Sequence, residues 1–105
     1  MEQRRWEIKD DYRKISIDVL QENLASLRAR IGINQEDISN VIGISRQSYC
    51  AFETRKREMP WHFFLSLIFF FDSVAETHEM IRDLKIFPTD LLLQFNEKDA
   101  PEKTR

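Results

Sequence analysis

The chain has 105 residues, enough for one domain but too few for two independent cores. A formal net charge of −2 and an apolar fraction of 42% exclude both a polybasic chain and a wholly disordered one. The single cysteine, Cys50, excludes an intramolecular disulfide and a cysteine-based metal framework. The charged start has no apolar signal region, and the longest apolar run, 61–71, is shorter than the ~20 residues of a spanning helix. We therefore expect a soluble, cytoplasmic protein without a membrane segment.

Charge is distributed unevenly along the chain. Residues 72–105 contain five basic and eight acidic residues, whereas residues 15–71 are neutral overall. Inside the neutral part, the segment 46–57 concentrates four basic residues against the single acidic Glu53: Arg46, Arg55, Lys56 and Arg57. A basic cluster on an acidic chain suits a small anion-binding surface, but it is equally typical of a solvated loop.

Helical spacing dominates the pattern, and the two glycines and three prolines disfavour β-hairpins. The first predicted helix carries apolar residues four, three and four positions apart: Leu20, Leu24, Leu27 and Ile31. Ser16 or Asp18 is predicted to cap it, with Gln21 completing a capping box after Asp18. Gly32 is predicted to end it in the left-handed conformation. The preceding segment, Trp6–Ile15, is compatible with an arm, a strand or an extension of this helix.

Two short helices are predicted next. Asn34 is a good N-cap for the first of them, which should end at Gly43. Ser45 is a good N-cap for the second, predicted to run through about Thr54. The tight glycine-containing turn between them gives the layout of a helix-turn-helix.

The remaining predicted helices are more apolar. Pro60 suits the first turn of the next helix. The apolar residues of this helix, Phe63–Phe71, occupy nearly its whole circumference. The helix is therefore expected to face either the core alone or both the core and a partner. A further helix is predicted over Thr77–Ile86. Pro88 should break it, and Thr89 is predicted to cap a last helix carrying Leu91–Phe95.

The second short helix separates two faces when its residues are placed at 100° per residue. Tyr49 and Phe52 fall on one side, whereas Arg46, Cys50, Thr54, Gln47 and Ala51 fall almost opposite. We expect the aromatic side to be buried and the polar side to be exposed. Arg46 and Gln47 are side chains that pair with base edges in a major groove, although exposed helix positions often carry such residues without any ligand.

The stretch from Leu24 to about Phe71 resembles the Cro and lambda-repressor-like helix-turn-helix domains, also called the xenobiotic-response-element family. The resemblance rests on LRARIGINQEDIS, on VIGISRQS and on FE followed by a basic loop. It implies an all-α, lambda-repressor-like bundle of about five helices with a helix-turn-helix and a short C-terminal helical extension. The predicted division is an N-terminal arm of undecided structure (1–15), a DNA-binding domain (16–72), the extension (73–95) and a disordered tail (96–105).

Contacts to double-stranded DNA follow from this resemblance, position by position. The residue matching Gln35 holds a phosphate in the family, and those matching Arg46, Gln47 and Ala51 face bases. The positions of Ser45 and Ser48 contact the DNA backbone or cap the helix, and the basic loop that includes Arg55 and Lys56 is expected to contact phosphates. The predicted DNA-binding residues are thus Gln35, Ser45, Arg46, Gln47, Ser48, Ala51, Arg55 and Lys56.

The resemblance also implies a structural pair. Arg28 and Glu53 match residues that often form an internal salt bridge between the first and third helices. Two positions depart from the family pattern, because Tyr49 stands where Ile or Val is more common and Arg55 stands where a glycine commonly ends the recognition helix. Residues after Phe71 lie outside the resemblance.

The function predicted from these residues is sequence-specific DNA binding and transcriptional regulation, most often repression in this family, in a bacterium or its phage. The chain is expected to act as a homodimer, because pairing two recognition helices about one DNA turn apart, ~34 Å, doubles the base contacts. The helix around Phe63–Phe71 and the stretch Leu91–Phe95 are the candidate self-association surfaces. The alternative is an antitoxin or adaptor whose acidic C-terminal third binds a protein partner.

Enzymatic and metal chemistry are not indicated. We find no nucleophile grouping, no phosphate-cradling glycine loop and no paired carboxylates above chance. His62 and His78 are 16 residues apart without further ligands at metal spacing, so no metal or other cofactor is predicted.

Overall fold

The computed structural model describes residues 6–97. This part of the chain forms six helices and contains no strand: α1 (Asp10–Ile31), α2 (Gln35–Ile42), α3 (Arg46–Glu53), α4 (Trp61–Ser73), α5 (Ala75–Leu84) and α6 (Thr89–Asn96). The predicted all-α class is therefore confirmed. Of the predicted C-terminal tail, Asn96 is the last residue of α6, and residues 98–105 lie outside the described part, as do residues 1–5.

The first helix begins earlier than predicted. It starts at Asp10, so neither Ser16 nor Asp18 caps it, and residues 10–15 are a helix extension rather than an arm or a strand. The extension has tertiary partners of its own, since the ring of Tyr12 meets Trp61 edge-on with centroids 6.1 Å apart. Asp10 and Asp11 also occupy the first turn, where the helix dipole favours negative charge. At the other end Gly32 terminates α1 with φ 86°, as predicted.

The core forms where α1 crosses the other helices. α1 packs against α3, α4 and α5, while α2 packs against α3 and α4. The apolar stripe of α1 predicted from the sequence faces inward, except that Ile31 at its end is only partly buried. The fully enclosed aromatic side chains come from two helices: Tyr49 and Phe52 from α3, and Phe64 and Phe71 from α4.

A buried glutamine joins α1 to the loop after α3. The Gln21 amide nitrogen donates to the carbonyl oxygens of Phe52, at 2.8 Å, and Arg57, at 2.9 Å. Its amide oxygen accepts from the backbone N–H of Met59 at 3.2 Å. Gln21 therefore does not complete a capping box. Instead it satisfies three backbone groups of the segment that links α3 to α4, and so determines the path of that loop.

The fourth helix has both buried and exposed apolar positions. Its inward face consists of Phe64, Leu67, Ile68 and Phe71, whereas Leu65 and Phe69 are exposed. α5 turns back along α4, and the Thr77 hydroxyl closes this corner by donating to the Phe71 carbonyl oxygen at 2.7 Å. Of the described helices, α1 is long but strongly charged and α4 is apolar but only 13 residues long, and none is long and apolar enough to cross a membrane.

α5 begins at Ala75 and ends at Leu84, so the helix predicted over Thr77–Ile86 lies two residues earlier than expected. Two other predicted helix starts are shifted by one residue. Pro60 precedes α4 as its N-cap instead of lying in the first turn, and Thr89 is the first residue of α6, with Pro88 as an N-cap that has no side-chain bond. α6 buries Leu91 but leaves the two following leucines exposed. The side chain of Phe95 stacks on Trp6 with ring centroids 5.0 Å apart, so the two ends of the described chain meet.

We predict that Gln21→Leu lowers the free energy of unfolding by about 2–4 kcal/mol. Leucine keeps the volume of the side chain but leaves the Arg57 carbonyl and the Met59 N–H without their partner, while the Phe52 carbonyl keeps its bond from the Arg55 N–H. Urea denaturation followed by circular dichroism measures the loss. The matched control is Gln47→Leu at an exposed position of α3, expected to stay within about 0.5 kcal/mol of the parent. Equal midpoints for the two variants would contradict the role of Gln21.

Candidate nucleic-acid interface

Local capping produces the two short helices α2 and α3. The Asn34 side chain accepts from the Asp37 N–H at 2.7 Å, and the Asp37 carboxylate accepts from the Asn34 N–H at 3.1 Å, which makes a reciprocal capping box. Gly43 ends α2 with φ 79°. Two residues later the Ser45 hydroxyl oxygen accepts from the Ser48 N–H at 3.0 Å and starts α3. The predicted caps and the predicted turn are confirmed.

The two faces predicted for α3 are also confirmed. Tyr49 and Phe52 are completely buried, whereas Arg46, Gln47 and Thr54 on the opposite side are exposed. Cys50 and Ala51 lie on the outer side but are half-buried. Among residues 6–97, the Arg46 and Gln47 side chains have no hydrogen-bond or ion-pair partner, so both are available to an external ligand.

The last residue of α3, Glu53, holds three helices together. Arg28 of α1 donates to both of its carboxylate oxygens, from Nε and from Nη2, at 2.9 Å each. Gln35 of α2 donates to Oε1 at 2.8 Å, and the Tyr49 hydroxyl donates to Oε2 at 2.7 Å. The Arg28–Glu53 salt bridge implied by the family resemblance is therefore present, and two further donors complete it.

Burial and hydrogen bonding oppose each other at Glu53. The Glu53 side chain is only 8% exposed, and this burial raises the pKa of its carboxyl group. Hydrogen bonds from Arg28, Gln35 and Tyr49 outweigh the burial, so the pKa is lowered overall and the group stays ionised. Burial and the bond to Glu53 raise the pKa of the Tyr49 hydroxyl above its ordinary range, which keeps that hydroxyl a donor. Tyr49 is thus buried without leaving its hydroxyl unpaired.

The predicted phosphate-binding residues differ in whether their side chains already have hydrogen-bond or ion-pair partners within the protein. The Gln35 amide is oriented by Glu53, but the second hydrogen of its nitrogen points elsewhere and remains a donor. The Arg55 guanidinium is engaged by the Asp18 carboxylate and by the Asp18 carbonyl oxygen, the latter at 3.0 Å. Lys56 is exposed, and within the described part of the chain its side chain has no partner. Arg57 lies over the Phe52 ring, with its guanidinium carbon 5.2 Å from the ring centroid.

Positions 55 and 56 terminate α3 in a Schellman motif. The Arg55 N–H donates to the Phe52 carbonyl at 3.1 Å, and the Lys56 N–H donates to the Ala51 carbonyl at 3.0 Å. Arg55 adopts φ 63°, the left-handed conformation for which glycine is preferred. The arginine thus keeps the backbone geometry that a glycine commonly provides at this position, and Asp18 is the partner that holds it there.

The eight predicted site residues fall into two groups at the two ends of α3, with Ala51 between them. Ser45, Arg46, Gln47 and Ser48 form the exposed start of α3, with the Ser45 hydroxyl donating to that of Ser48 at 3.0 Å. Arg55 and Lys56 follow the other end of α3, about 13 Å away at 1.5 Å per residue. Gln35 is connected to that end through Glu53, and Ala51 lies between the groups, half-buried.

Sequence reasoning missed that Gln21 and Asp18 of α1 support this surface. Gln21 holds the loop after α3, and Asp18 holds Arg55. A signal for Gln21 is present in the sequence, because a glutamine beside Leu20 and Leu24 interrupts the apolar side of the helix.

No protein-family model, curated protein or solved structure matches this chain. Function is therefore inferred from its own residues.

We predict that Glu53→Gln destabilises the fold by about 2–3 kcal/mol at pH 7, because Arg28 loses its charged partner. The pKa of Glu53 is lowered by folding, so its contribution is complete above its unfolded pKa of about 4.3 and is lost as the pH falls through the folded value. The deficit of the variant should accordingly shrink below about pH 4. Urea titrations from pH 7 to pH 3 measure it, with Glu58→Gln in the exposed loop as control. A deficit that does not change with pH would contradict this account.

We predict that Arg55→Gly is more stable than Arg55→Ala by about 1 kcal/mol. Both variants lose the contact with Asp18, so the comparison isolates the cost of a Cβ atom at φ 63°. Thermal denaturation of the two proteins side by side gives the difference. If alanine proved equal or better, the left-handed ending of α3 would be wrong.

Proposed function

We propose that α2 and α3 form a helix-turn-helix and that the chain binds double-stranded DNA with α3 in the major groove. The observation that carries the proposal is the asymmetry of α3. Its inner side is locked by Tyr49, Phe52 and the Glu53 network, while Arg46 and Gln47 on the outer side have no intramolecular partner among residues 6–97. The proposed role is transcriptional regulation, by repression, within a lambda-repressor-like bundle.

Base recognition is assigned to the start of α3. Arg46 presents a guanidinium that is geometrically suited to the O6 and N7 acceptors of guanine, and Gln47 presents an amide suited to the N6 and N7 atoms of adenine. The two residues are adjacent on the first turn, which is the part of a recognition helix that reaches base edges. Ala51, one turn later, would contribute a small apolar contact.

Phosphate contacts are assigned to the two ends of this unit. Gln35 is the first residue of α2, and its amide keeps one hydrogen that can be donated to a phosphate oxygen, while Glu36 and Asp37 place negative charge in the same turn. Lys56 is the free cation at the other end, and Arg55 contributes only if it exchanges Asp18 for a phosphate. The acidic Glu53 between them does not repel DNA strongly, because Arg28 neutralises its charge.

An antitoxin or adaptor on the same fold is the second candidate. It is favoured by the exposed leucines of α6, Leu92 and Leu93, in the acidic C-terminal third. Gel retardation on random duplex DNA at low salt separates an adaptor from a DNA-binding protein, because a protein that acts only through a protein partner would not shift the DNA. An antitoxin that binds both DNA and a toxin would also shift the DNA, and a pull-down identifies it. Selection of duplexes from a random pool then tests for sequence specificity, and an inverted repeat among the selected sequences would support a dimer.

We predict that Arg46→Ala weakens binding to the selected site by about 1–3 kcal/mol, roughly 5- to 150-fold, and changes binding to random DNA far less. Lys56→Ala should weaken both alike and reduce the slope of log K against log salt by about one unit. Fluorescence anisotropy titrations at several salt concentrations measure both effects.

The charge-matched control is Lys85→Ala, which removes a cation from the turn between α5 and α6 and should leave the salt slope unchanged. Unaltered affinity of Arg46→Ala for the selected site would refute the assignment of base recognition to α3.

A further inference from the structure

A groove of about 320 Å³ lies between α1 and the loop that joins α3 to α4. Its floor is formed by Ile17 and Gln21 of α1, which are 4% and 6% exposed. Both hydrogens of the Gln21 amide are already donated to the backbone carbonyls of Phe52 and Arg57, so this amide offers a ligand no free donor. A ligand in the groove must therefore be held by its walls.

The walls of the groove are rich in cations. Lys14 lines it from α1, and Arg55 and Arg57 line it from the loop. The carboxylates of Asp18 and Glu58 also line it, yet neither is in ion-pair contact with Lys14 or Arg57 within residues 6–97. The groove is several times larger than the ~30 Å³ that a water molecule occupies in the liquid. It therefore offers a hydrated anion both room and countercharge.

The backbone and side chain of Arg57 are ordered before any ligand arrives. Its N–H donates to the Ala51 carbonyl oxygen at 3.2 Å, and its own carbonyl oxygen accepts from Gln21 at 2.9 Å. The guanidinium carbon lies 5.2 Å from the centre of the Phe52 ring, in a cation–π contact that uses none of the N–H donors. A side chain held in this way loses little conformational entropy when it binds an anion.

Arg55 already holds an anion, the carboxylate of Asp18. Its second bond goes to the Asp18 carbonyl oxygen at 3.0 Å. A carboxylate and a phosphate both offer an arginine a pair of charged oxygen acceptors. The side chains of Arg55 and Asp18 are 43% and 59% exposed, and ion pairs as exposed as this stabilise a fold little. A phosphate that arrives from solvent can therefore replace Asp18 on Arg55.

We propose that this groove is a phosphate-binding site and that the Asp18 carboxylate occupies the place of the phosphate on Arg55 until one displaces it. Arg55 and Arg57 donate to the phosphate oxygens, and Lys14 contributes charge from the wall formed by α1. The ligand assigned to the groove is a backbone phosphate of the DNA, and in this respect the inference rests on the proposed function. Lys56 of the same loop already has a phosphate assigned, so a strand held there presents neighbouring phosphates to Arg55.

Asp18 then acts as a competitor that the protein carries within its own interface. Every DNA complex has to break the contact between Arg55 and Asp18, whatever its base sequence, because a phosphate contact carries no sequence information. Asp18 thus lowers the affinity for random and for selected DNA by the same factor. In this it differs from Arg46, whose loss is expected to affect mainly the selected site.

A double-mutant cycle tests the competition, with binding to random duplex DNA measured by fluorescence anisotropy. Asp18→Ala should raise the affinity about 3- to 5-fold, the change in equilibrium constant that an exposed ion pair represents. In an Arg55→Ala background the same substitution should have almost no effect, because no contact with Arg55 is left to break.

Glu22→Ala is the matched control. Glu22 is exposed one turn further along α1 and does not line the groove, so its removal changes the net charge equally without touching Arg55. It should change the affinity less than about 2-fold in both backgrounds. Circular dichroism should show both variants folded, because exposed helical positions accept alanine. A gain from Asp18→Ala that persists without Arg55, or that Glu22→Ala matches, would overturn the competition.

Inorganic phosphate tests the groove without DNA. Sodium phosphate, compared with sodium chloride at equal ionic strength, should shift the side-chain Nε–H NMR signals of Arg55 and Arg57 in Asp18→Ala. Adding Lys14→Ala should reduce this shift. The signal of Arg30, which is exposed in the last turn of α1, should not move.

The two measurements separate failure of the groove from failure of the proposed function. If phosphate shifts the arginine signals but neither the parent protein nor Asp18→Ala binds DNA, the groove is a site for free phosphate and the proposed function is wrong. If the parent binds DNA but neither the coupling to Arg55 nor the response to phosphate is observed, the groove is not a phosphate site and the proposed function stands.

Discussion

The carboxylate of Glu53 accepts hydrogen bonds from α1, from α2 and from within α3, and the orientation of the exposed side of α3 depends on it. Arg28 supplies the countercharge, while Gln35 and Tyr49 satisfy the remaining acceptor positions. A half-buried ion pair of this kind adds little net free energy when complete, but removing one partner leaves a charge without compensation. Its main effect is to select one arrangement of three helices.

A second polar anchor, Gln21, performs the same task for the loop that follows α3. Two side chains of α1 thus hold α3: Arg28 binds the Glu53 carboxylate, and Gln21 donates to the Phe52 carbonyl oxygen. Together they hold both the helix and the basic loop before any ligand arrives. An interface ordered in advance binds more tightly than one that must be ordered on binding, because less conformational entropy is lost.

Helix α4 completes the core. Its inner side packs four large residues, and its outer side leaves Phe69 exposed between two serines whose hydroxyls are already bonded.

The sequence by itself determined the features that depend on near neighbours. The caps Asn34 and Ser45, the glycine endings of α1 and α2, and the two faces of α3 all follow from interactions within about four residues, and all were predicted correctly. The Arg28–Glu53 pair was accessible only through a family resemblance, since 25 residues separate its members.

Tertiary structure alone decided the rest. The ring of Tyr12 in the first turns of α1 meets Trp61 of α4, and Gln21 bonds to backbone groups more than 30 residues away. Tertiary contacts also determine that the Arg55 guanidinium is bound by Asp18, whereas the Lys56 side chain has no partner within the described residues. These contacts join residues far apart in the chain, and their free energy depends on distances in space that spacing along the sequence does not encode.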